Sequence, residues 1–203
     1  MHWDRLFEDL EGQLASGWEA ERAMLDAESE RLRIAGLDLR ARLRVLCSAN
    51  ADATVDLMNG RRLPVTLQTL GADWIAVASR GTGSVHVVSA SLLIPLHAIA
   101  GVATDHGTLL ASLEGPAQSG PALRERMTFG FVLRGLARRR VPVHVSTRQG
   151  DDLHGTIDRA AADHLDLAAH DPGQARFEGA VNGFRIIPFS SLIAVRAPGD
   201  QLR

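Results

Sequence analysis

The chain contains two copies of one pattern, placed ninety residues apart. The first copy runs from Ala51 to Val77 and the second from Val141 to Leu167. At this offset the matched pairs are Val55 and Val145, Gly60 and Gly150, Leu63 and Leu153, Leu67 and Ile157, Ala72 and Ala162, Asp73 and Asp163, Ile75 and Leu165, and Val77 and Leu167. A duplicated pattern predicts two copies of one structural unit. In 203 residues, each unit is close to the size at which a single core is only just sufficient.

Each copy carries the signals of short β-strands joined by tight turns. From Thr54 the apolar residues alternate with polar ones, which is typical of a strand with one buried face. Asn59-Gly60 predicts a hairpin, and Gly71–Asp73 predicts the next turn. We expect the repeated apolar positions to lie inside: Val55, Leu63, Leu67, Ile75 and their counterparts Val145, Leu153, Ile157 and Leu165.

Residues 2–47 have the apolar spacing of a helix. Ser16 and Glu19 have the spacing of a capping box, which predicts that a second helix begins at Ser16. An apolar stripe covers one face of the first part, formed by Trp3, Leu6, Phe7, Leu10 and Leu14. Two interpretations of this helix stand side by side: it packs on its own β-unit, or it docks on a protein partner or on a second copy.

The repeat and the composition together predict four segments. Residues 1–36 form an N-terminal helical arm, and residues 37–104 form the first unit. Residues 105–121 are rich in glycine and proline and predict a linker. Residues 122–203 form the second unit, which begins with a helix over residues 122–139.

One helix followed by five short, bent strands resembles the Sm-like fold. In the second unit the residues that carry the resemblance are Gly150, Gly155 and Ile157, together with the closing run from Ile187 to Val195. The first unit keeps Gly60 and the run Ile94-Pro95-Leu96. The whole chain is also similar to a family of tandem-barrel proteins from high-GC bacteria, and that resemblance implies no activity.

The resemblance implies an α+β chain of two tandem Sm-like small β-barrels, each preceded by a helix, with a long N-terminal helix. It also implies an association with RNA. However, the loop Ala160–Leu165 lacks the asparagine that RNA-binding Sm proteins place there, and the last turn carries Ser190-Ser191 in place of arginine and glycine. The base-reading pocket of that family is therefore transferred to no residue of this chain.

Composition excludes several classes of function. The single cysteine, Cys47, rules out an intramolecular disulfide and a multi-cysteine metal site. No apolar run is long enough to cross a membrane, so we expect a cytoplasmic protein that does not bind one. No nucleophile, phosphate-binding or dinucleotide-binding motif is present. We therefore expect neither an enzymatic activity nor a cofactor.

The densest basic cluster lies at the end of the second predicted helix, at Arg134, Arg138, Arg139 and Arg140. Such a cluster predicts contacts to nucleic-acid phosphates, and the alternative is a charged helix end facing solvent. The formal net charge of −2 limits any such contact to a local patch. The first hypothesis is accordingly a nucleic-acid-associated regulator. The second is a protein-interaction scaffold that uses the N-terminal helix and binds no nucleic acid.

Three histidines of the second copy lie on the face that we expect to point outward. If Val145 pairs with Leu153, His144 lies opposite His154; if Ile157 pairs with Leu165, Asp158 lies opposite His164. Histidines beside a carboxylate could hold a divalent metal such as zinc. Solvent-facing histidines are the commoner case, and the first copy has Thr54, Pro64 and Trp74 at these positions. We therefore predict no metal site.

Overall fold

The computed structural model describes residues 3–80, 90–114, 122–173 and 181–198, with side chains throughout except at residues 3–6, 9, 10 and 90. Four α-helices and ten β-strands lie in these ranges. The helices are α1 (Trp3–Ala35), α2 (Leu39–Ser48), α3 (His106–Ala111) and α4 (Phe129–Arg138). None of them combines the length and the apolar character that a membrane crossing requires.

Helix α1 runs without a break for 33 residues, so the predicted start of a helix at Ser16 is wrong. The Ser16 hydroxyl donates to the carbonyl of Gln13 and does not cap a new helix. The break comes later, because Asp38 caps α2 by accepting a hydrogen bond of 2.6 Å from the Ala41 amide. Helix α2 is therefore the helix that belongs to the first unit.

The first three strands recur at the predicted offset of ninety residues, whereas the last two begin at residues 90 and 99 in the first unit and at 183 and 192 in the second, an offset of ninety-three. The first unit contains β1 (Asp52–Leu57), β2 (Arg62–Leu70), β3 (Trp74–Ser79), β4 (Ala90–Pro95) and β5 (Ile99–Ala103). The second contains β6 (Pro142–Thr147), β7 (Asp152–Ala160), β8 (His164–Ala169), β9 (Gly183–Pro188) and β10 (Leu192–Pro198). A 3₁₀ turn precedes the last strand of each unit, at Leu96–Ala98 and at Phe189–Ser191. The segment predicted as a linker includes helix α3.

All ten strands form one open antiparallel sheet in the order β5-β1-β2-β3-β4-β10-β6-β7-β8-β9. The α+β class and the long N-terminal helix are confirmed, but the expectation of two separate sheets is wrong. The units are joined because β4 pairs with β10, with Leu93 opposite Val195 and Leu92 opposite Arg196. We call this pairing the joint. Strands β5 and β9 are left at the two edges of the sheet.

The register of the hairpins agrees with the sequence at one place and departs from it at another. Val145 lies opposite Leu153, as predicted. Ile157 lies opposite Leu167 and not Leu165, because the β7–β8 turn occupies residues 161–163 and the hairpin closes with Ala160 opposite Leu165. The register of β7 also shifts between Ile157 and Arg159. A bulge places an extra residue in one strand, and here that residue is Asp158. Strand β2 has the corresponding shift between Leu67 and Thr69.

Gly155 lies in β7 where the backbone of the neighbouring strand β8 approaches closely. A β-carbon at this position would lie 2.3 Å from the carbonyl oxygen of Ala168 on the neighbouring strand β8. Any larger residue would force the two strands apart, which is why glycine is required here.

Two hydrophobic cores lie on the sheet, one for each unit. The repeated positions are inside as predicted: Val55, Leu67 and Ile75 in the first core, and Val145, Ile157 and Leu165 in the second. Leu63 and Leu153 are partly buried against these cores.

The two cores exchange residues across the joint. Ile193 and Ala194 of β10 belong to the first core, whereas Trp74, Ala76 and Leu93 of the first unit belong to the second. Each core is therefore completed by the other unit.

Polar contacts hold the start of α4 against the β2–β3 turn. The Met127 carbonyl accepts hydrogen bonds of 2.9 Å from the Ala72 amide and from the Trp74 indole. The Asp73 carboxylate accepts one of 2.6 Å from the amide of Phe129, the first residue of α4. The bond to Asp73 satisfies an amide donor that a helix start leaves without a partner inside the helix.

Candidate interaction surfaces

Helix α1 is a solvent-exposed arm. Every side chain that the structure describes between Phe7 and Ala35 is exposed. The large apolar ones are Phe7, Leu14, Trp18, Met24, Leu25, Leu32 and Ile34. The arm therefore does not pack on its own β-units through these side chains.

The predicted partner-binding stripe is only partly described. Phe7 and Leu14 lie exposed on α1. Trp3, Leu6 and Leu10 are in the helix, but their side chains lie outside the described part of the structure. The exposed apolar residues continue beyond this stripe, with Trp18 70% exposed. Sequence reasoning placed the partner surface on residues 3–14, whereas the exposed apolar face extends along most of the helix.

The polar side chains of the arm carry a net negative charge. Between Trp3 and Ala35 the chain has nine acidic and four basic residues. Glu30 and Arg33 form a paired contact, with two hydrogen bonds of 2.7 and 2.6 Å. This contact lowers the pKa of Glu30, chiefly through the hydrogen bond from Arg33. Both groups are exposed, so the pair orders the helix surface and contributes little to stability.

The second candidate surface is a cleft between α4 and β7. It has a volume of about 480 Å³ and is lined by Phe131, Arg134, Ala137, Arg138, Arg140, Asp158, Arg159 and Ala160. We call this the arginine cleft. Three of the four arginines predicted to contact nucleic acid lie here, and Arg139 does not line it. Arg159 joins them because β7 passes beside α4, which the linear sequence did not indicate.

Protein groups already contact most of these arginines. Arg134 donates to the carbonyl of Ala161 at 3.1 Å, and Arg140 binds the Asp158 carboxylate at 2.9 Å. Arg139 donates to the carbonyl of Gly135 within its own helix. Arg159 lies 3.8 Å from the Asp166 carboxylate. The cleft is basic, but Asp158 offsets part of its charge.

The arginines of α2, the counterpart of α4, point into the protein. Arg44 binds the Glu125 carboxylate at 2.6 Å, and Arg40 donates to the backbone carbonyls of Gly71, Ala72 and Glu125. Arg42 donates to the Ser112 hydroxyl and to the Leu109 carbonyl. The first unit therefore uses its helix arginines to hold three segments in place: the β2–β3 turn, α3, and the residues around Glu125 that precede α4.

The histidines of the second unit do not form the arrangement expected from the sequence. His144 lies opposite His154 as predicted, with 4.6 Å between the ring centres. Asp158 does not lie opposite His164, because the hairpin closes with Ala160 opposite Leu165. His164 is the first residue of β8, and its ring contacts the Asp163 carboxylate at 2.7 Å. Among the described residues, no group of three or more histidine, cysteine or acidic side chains could hold a metal ion.

A buried histidine that the sequence analysis did not select completes this cluster. His170 contacts the Thr156 hydroxyl at 2.9 Å through Nε2, and its ring lies 4.9 Å from that of His154. Burial lowers the pKa of His144, and the charges of His154 and Arg196 lower it further. These contacts satisfy the rings within the protein, which favours a structural role.

Cys47 lies buried in the first core. Burial raises the pKa of its thiol to about 12, and the charge of Glu125 adds to the effect. A thiol of this kind is protonated at neutral pH and is a poor nucleophile.

No protein-family model, no curated protein and no solved structure matches the chain.

Proposed function

We propose that this protein is a non-enzymatic protein-interaction scaffold in which the arm α1 binds a partner protein. The observation that carries the proposal is the exposure of every described side chain of α1 between Phe7 and Ala35, seven large apolar ones included. Contiguous exposed apolar surface on a soluble protein usually marks a binding site. An amphipathic helix typically buries its apolar face in a groove of its partner.

The energetics of an isolated helix support this proposal. At 1.5 Å per residue, α1 is about 50 Å long, and most helices in proteins owe their stability to the packing of an apolar face. Binding to a partner would supply that packing. The exposed Trp18 is the best anchor, since tryptophan is enriched among the residues that dominate binding energy.

The charge of the arm favours a different protein over a second copy of α1. Two arms packed side by side would bring together two surfaces that each carry nine acidic and four basic residues. Like charges across an interface disfavour such a complex. The partner is therefore expected to offer an apolar groove with a basic rim.

We further propose that each unit is an Sm-like small barrel that presents the arm. The matching bulges in β2 and β7 and the close approach at Gly155 are the features that bend a small sheet toward a barrel. A helix packs against each unit, as the resemblance implies.

The test compares substitutions on the two faces of the arm in the full-length chain. Leu14→Ser combined with Trp18→Ser removes apolar surface, and the matched control, Glu8→Gln combined with Glu19→Gln, keeps it. A captured partner should be lost by the first variant and kept by the control, and the purified partner should bind a peptide of residues 3–35. Equal capture by both variants would contradict the proposal.

A second candidate function is a nucleic-acid-associated regulator that contacts phosphates through the arginine cleft. The observation that favours it is the convergence of Arg134, Arg138, Arg140 and Arg159 on one cleft. Arginine forms paired hydrogen bonds with phosphate oxygens. No aromatic platform other than the exposed Phe131 lines the cleft, so binding would depend on phosphates and little on base identity.

A further inference from the structure

The two edge strands of the sheet are the repeat counterparts of the two strands that form the joint. Opposite β3, Leu93 of β4 faces Ala76, and opposite β8, Ile186 of β9 faces Asp166 at the corresponding position. Strand β5 follows the first 3₁₀ turn as β10 follows the second. The joint pairs β4 with β10, so the chain carries a second copy of each joining strand, β9 and β5, at its outer edges.

The side chains at these edges are exposed where their counterparts are buried. Leu93 is 1% exposed within the joint, and its counterpart Ile186 is 74% exposed. Phe129, in the same core as Leu93, is 2% exposed, and its counterpart Leu39 at the start of α2 is 51% exposed. Ile186 lies on the edge strand β9, and Leu39 lies at the start of α2, the helix of the first unit. Each end therefore presents one half of an apolar contact that the joint completes.

We infer that the two ends bind each other between copies of this chain, so that β9 of one copy pairs with β5 of the next. The register of the joint places Ile186 opposite Val102 of the second copy, as Leu93 lies opposite Val195. Leu39 of the second copy then covers Ile186 in the way that Phe129 shares a core with Leu93. A strand edge with unpaired amide and carbonyl groups readily accepts another strand.

The polar contacts of the joint also have counterparts at the two ends. Asp163 occupies the position of Asp73, whose carboxylate accepts the Phe129 amide, and the Leu39 amide occupies the position of that donor. The Asp163 side chain is exposed, and its carboxylate contacts the ring of the neighbouring His164. In the assembled state, Asp163 of one copy caps helix α2 of the next.

The contact between copies is weaker than the joint within the chain. The second unit has His164 and Asp166 where the first has Trp74 and Ala76, both of which are buried in the joint. Replacing these two apolar side chains with polar ones reduces the buried apolar surface, so association depends on protein concentration.

This mode of association differs in stoichiometry from docking through the arm. The two ends are different surfaces, so the contact is head-to-tail and each bound copy still offers a free end. Growth therefore continues past a dimer until a ring closes or a filament forms. Two arms that bound each other symmetrically would stop at a dimer.

The experiment uses two single substitutions in the full-length chain, one at each end. Ile186→Lys places a charge at the β9 edge, and Leu39→Glu places one beside β5. Both positions are exposed, so thermal unfolding of each variant should match the parent. Leu14→Lys on the arm is the matched control, since it changes an equally exposed apolar residue away from both ends. Leu39→Ser repeats the second change without a new charge.

Sedimentation velocity is measured from about 5 to about 500 μM, the range in which weak interfaces assemble. The parent and Leu14→Lys should form species larger than dimers as concentration rises. Each end variant should associate at least about tenfold more weakly than the parent. A mixture of Ile186→Lys with Leu39→Ser should form a 1:1 complex that grows no further. One intact end of each variant can pair, whereas the two remaining ends are both changed and carry no opposite charges.

Four results would overturn the inference. The parent could remain monomeric over the whole range. The end variants could assemble like the parent, or the arm control could abolish assembly, and either result would place the contact elsewhere. The mixture could also stay monomeric while the parent assembles, which would exclude a head-to-tail contact.

Discussion

The two units share a strand register but differ in what covers them. In the first unit, the outward side chains Trp74, Ala76 and Leu93 lie in the core of the second unit. In the second unit, the corresponding side chains are His164, Asp166 and Ile186, and Ile186 is 74% exposed at the edge of the sheet. One duplicated pattern has thus produced an inner copy, covered by its neighbour, and an outer copy that is not.

The helix arginines show the same division. Arg40, Arg42 and Arg44 of α2 bind groups of the protein: the β2–β3 turn, the end of α3 and Glu125. Arg134 and Arg138 of α4 line an open cleft. The difference teaches that arginines on equivalent helices can bind groups of the protein in one copy and line an open cleft in the other. Position in the assembly, and not residue type, decides the role.

The largest expected effect compares the two copies of one apolar position. Leu93→Ala should lower the free energy of unfolding by about 2–5 kcal/mol, because it removes buried methyl groups and leaves a cavity in the second core. Ile186→Ala should change it by less than about 0.5 kcal/mol in the monomer, since that side chain is exposed. Urea denaturation at low protein concentration measures both, and equal losses would show that the joint does not distinguish the copies.

The second prediction concerns the arginines of α4. If the cleft binds a nucleic acid, changing Arg134, Arg138 and Arg140, which line it, to glutamine should reduce the slope of log affinity against log salt by about 2–3 units, at 0.7–0.9 per phosphate contact. Fluorescence titrations of a single strand and a duplex at several salt concentrations measure the slope. The matched variant, with Arg40, Arg42 and Arg44 changed to glutamine, should lose stability and keep the slope.

Two outcomes of these titrations decide against the nucleic-acid candidate. A parent protein that binds neither strand at low salt removes it. Binding that keeps its slope after the triple change of α4 would mean that these three side chains form only a charged helix end facing solvent.

A smaller effect is expected at the helix cap that crosses between the units. Asp73→Ala should lower the free energy of unfolding by about 1 kcal/mol, because the Phe129 amide loses its acceptor. Asp163→Ala, the same change in the second copy, should cost less than about 0.5 kcal/mol in the monomer, since it contacts an exposed histidine. Thermal or urea unfolding of both variants checks the difference, and a larger loss for Asp163→Ala would reverse the assignment of inner and outer copies.

The smallest effect is a dependence on pH that only the second unit should show. The pKa of His144 is lowered, so the unfolded chain binds its proton more readily than the folded chain. The stability linked to neutral His144 is therefore full above the unfolded pKa of about 6.5 and falls as the pH drops through it. Changing His144 to threonine, the residue at position 54 of the first unit, should flatten the stability curve between about pH 5 and 7 relative to the parent. An unchanged curve would show that His144 does not contribute.

Much of the local structure followed from the sequence, because local structure depends on local signals. The strands, the turn at Asn59-Gly60 and the buried positions such as Val55 and Val145 were predicted from alternation and the repeat. Asp158 was placed wrongly because the β7–β8 turn lies elsewhere than the predicted pairing assumed, so that Ala160 is the residue opposite Leu165. No composition signal indicates the bulge at Asp158 either. The predicted helix start at Ser16 failed because a capping pattern inside a favourable helix is not used.

The joint was not predictable by the same means. Leu93 and Val195 are a hundred residues apart, and both are ordinary strand residues whose partners a single sequence does not specify. The arginine cleft was predicted through Arg134, Arg138 and Arg140, which are close in sequence, but Arg159 enters it from another strand. Pairing of distant strands is thus the step at which sequence reasoning stopped.

The central place of β10 bears on how the chain folds as it is made on the ribosome. Of the ten strands described, β10 is synthesised last, yet it lies in the middle of the sheet between β4 and β6. Until it emerges, β4 has an open edge and Leu93, Ile75 and Trp74 lack the residues that complete their cores. The nascent chain therefore carries an aggregation-prone edge from the synthesis of β4 until that of β10, which is the situation in which chaperones act. Slowing translation before Leu192 would lengthen this exposure.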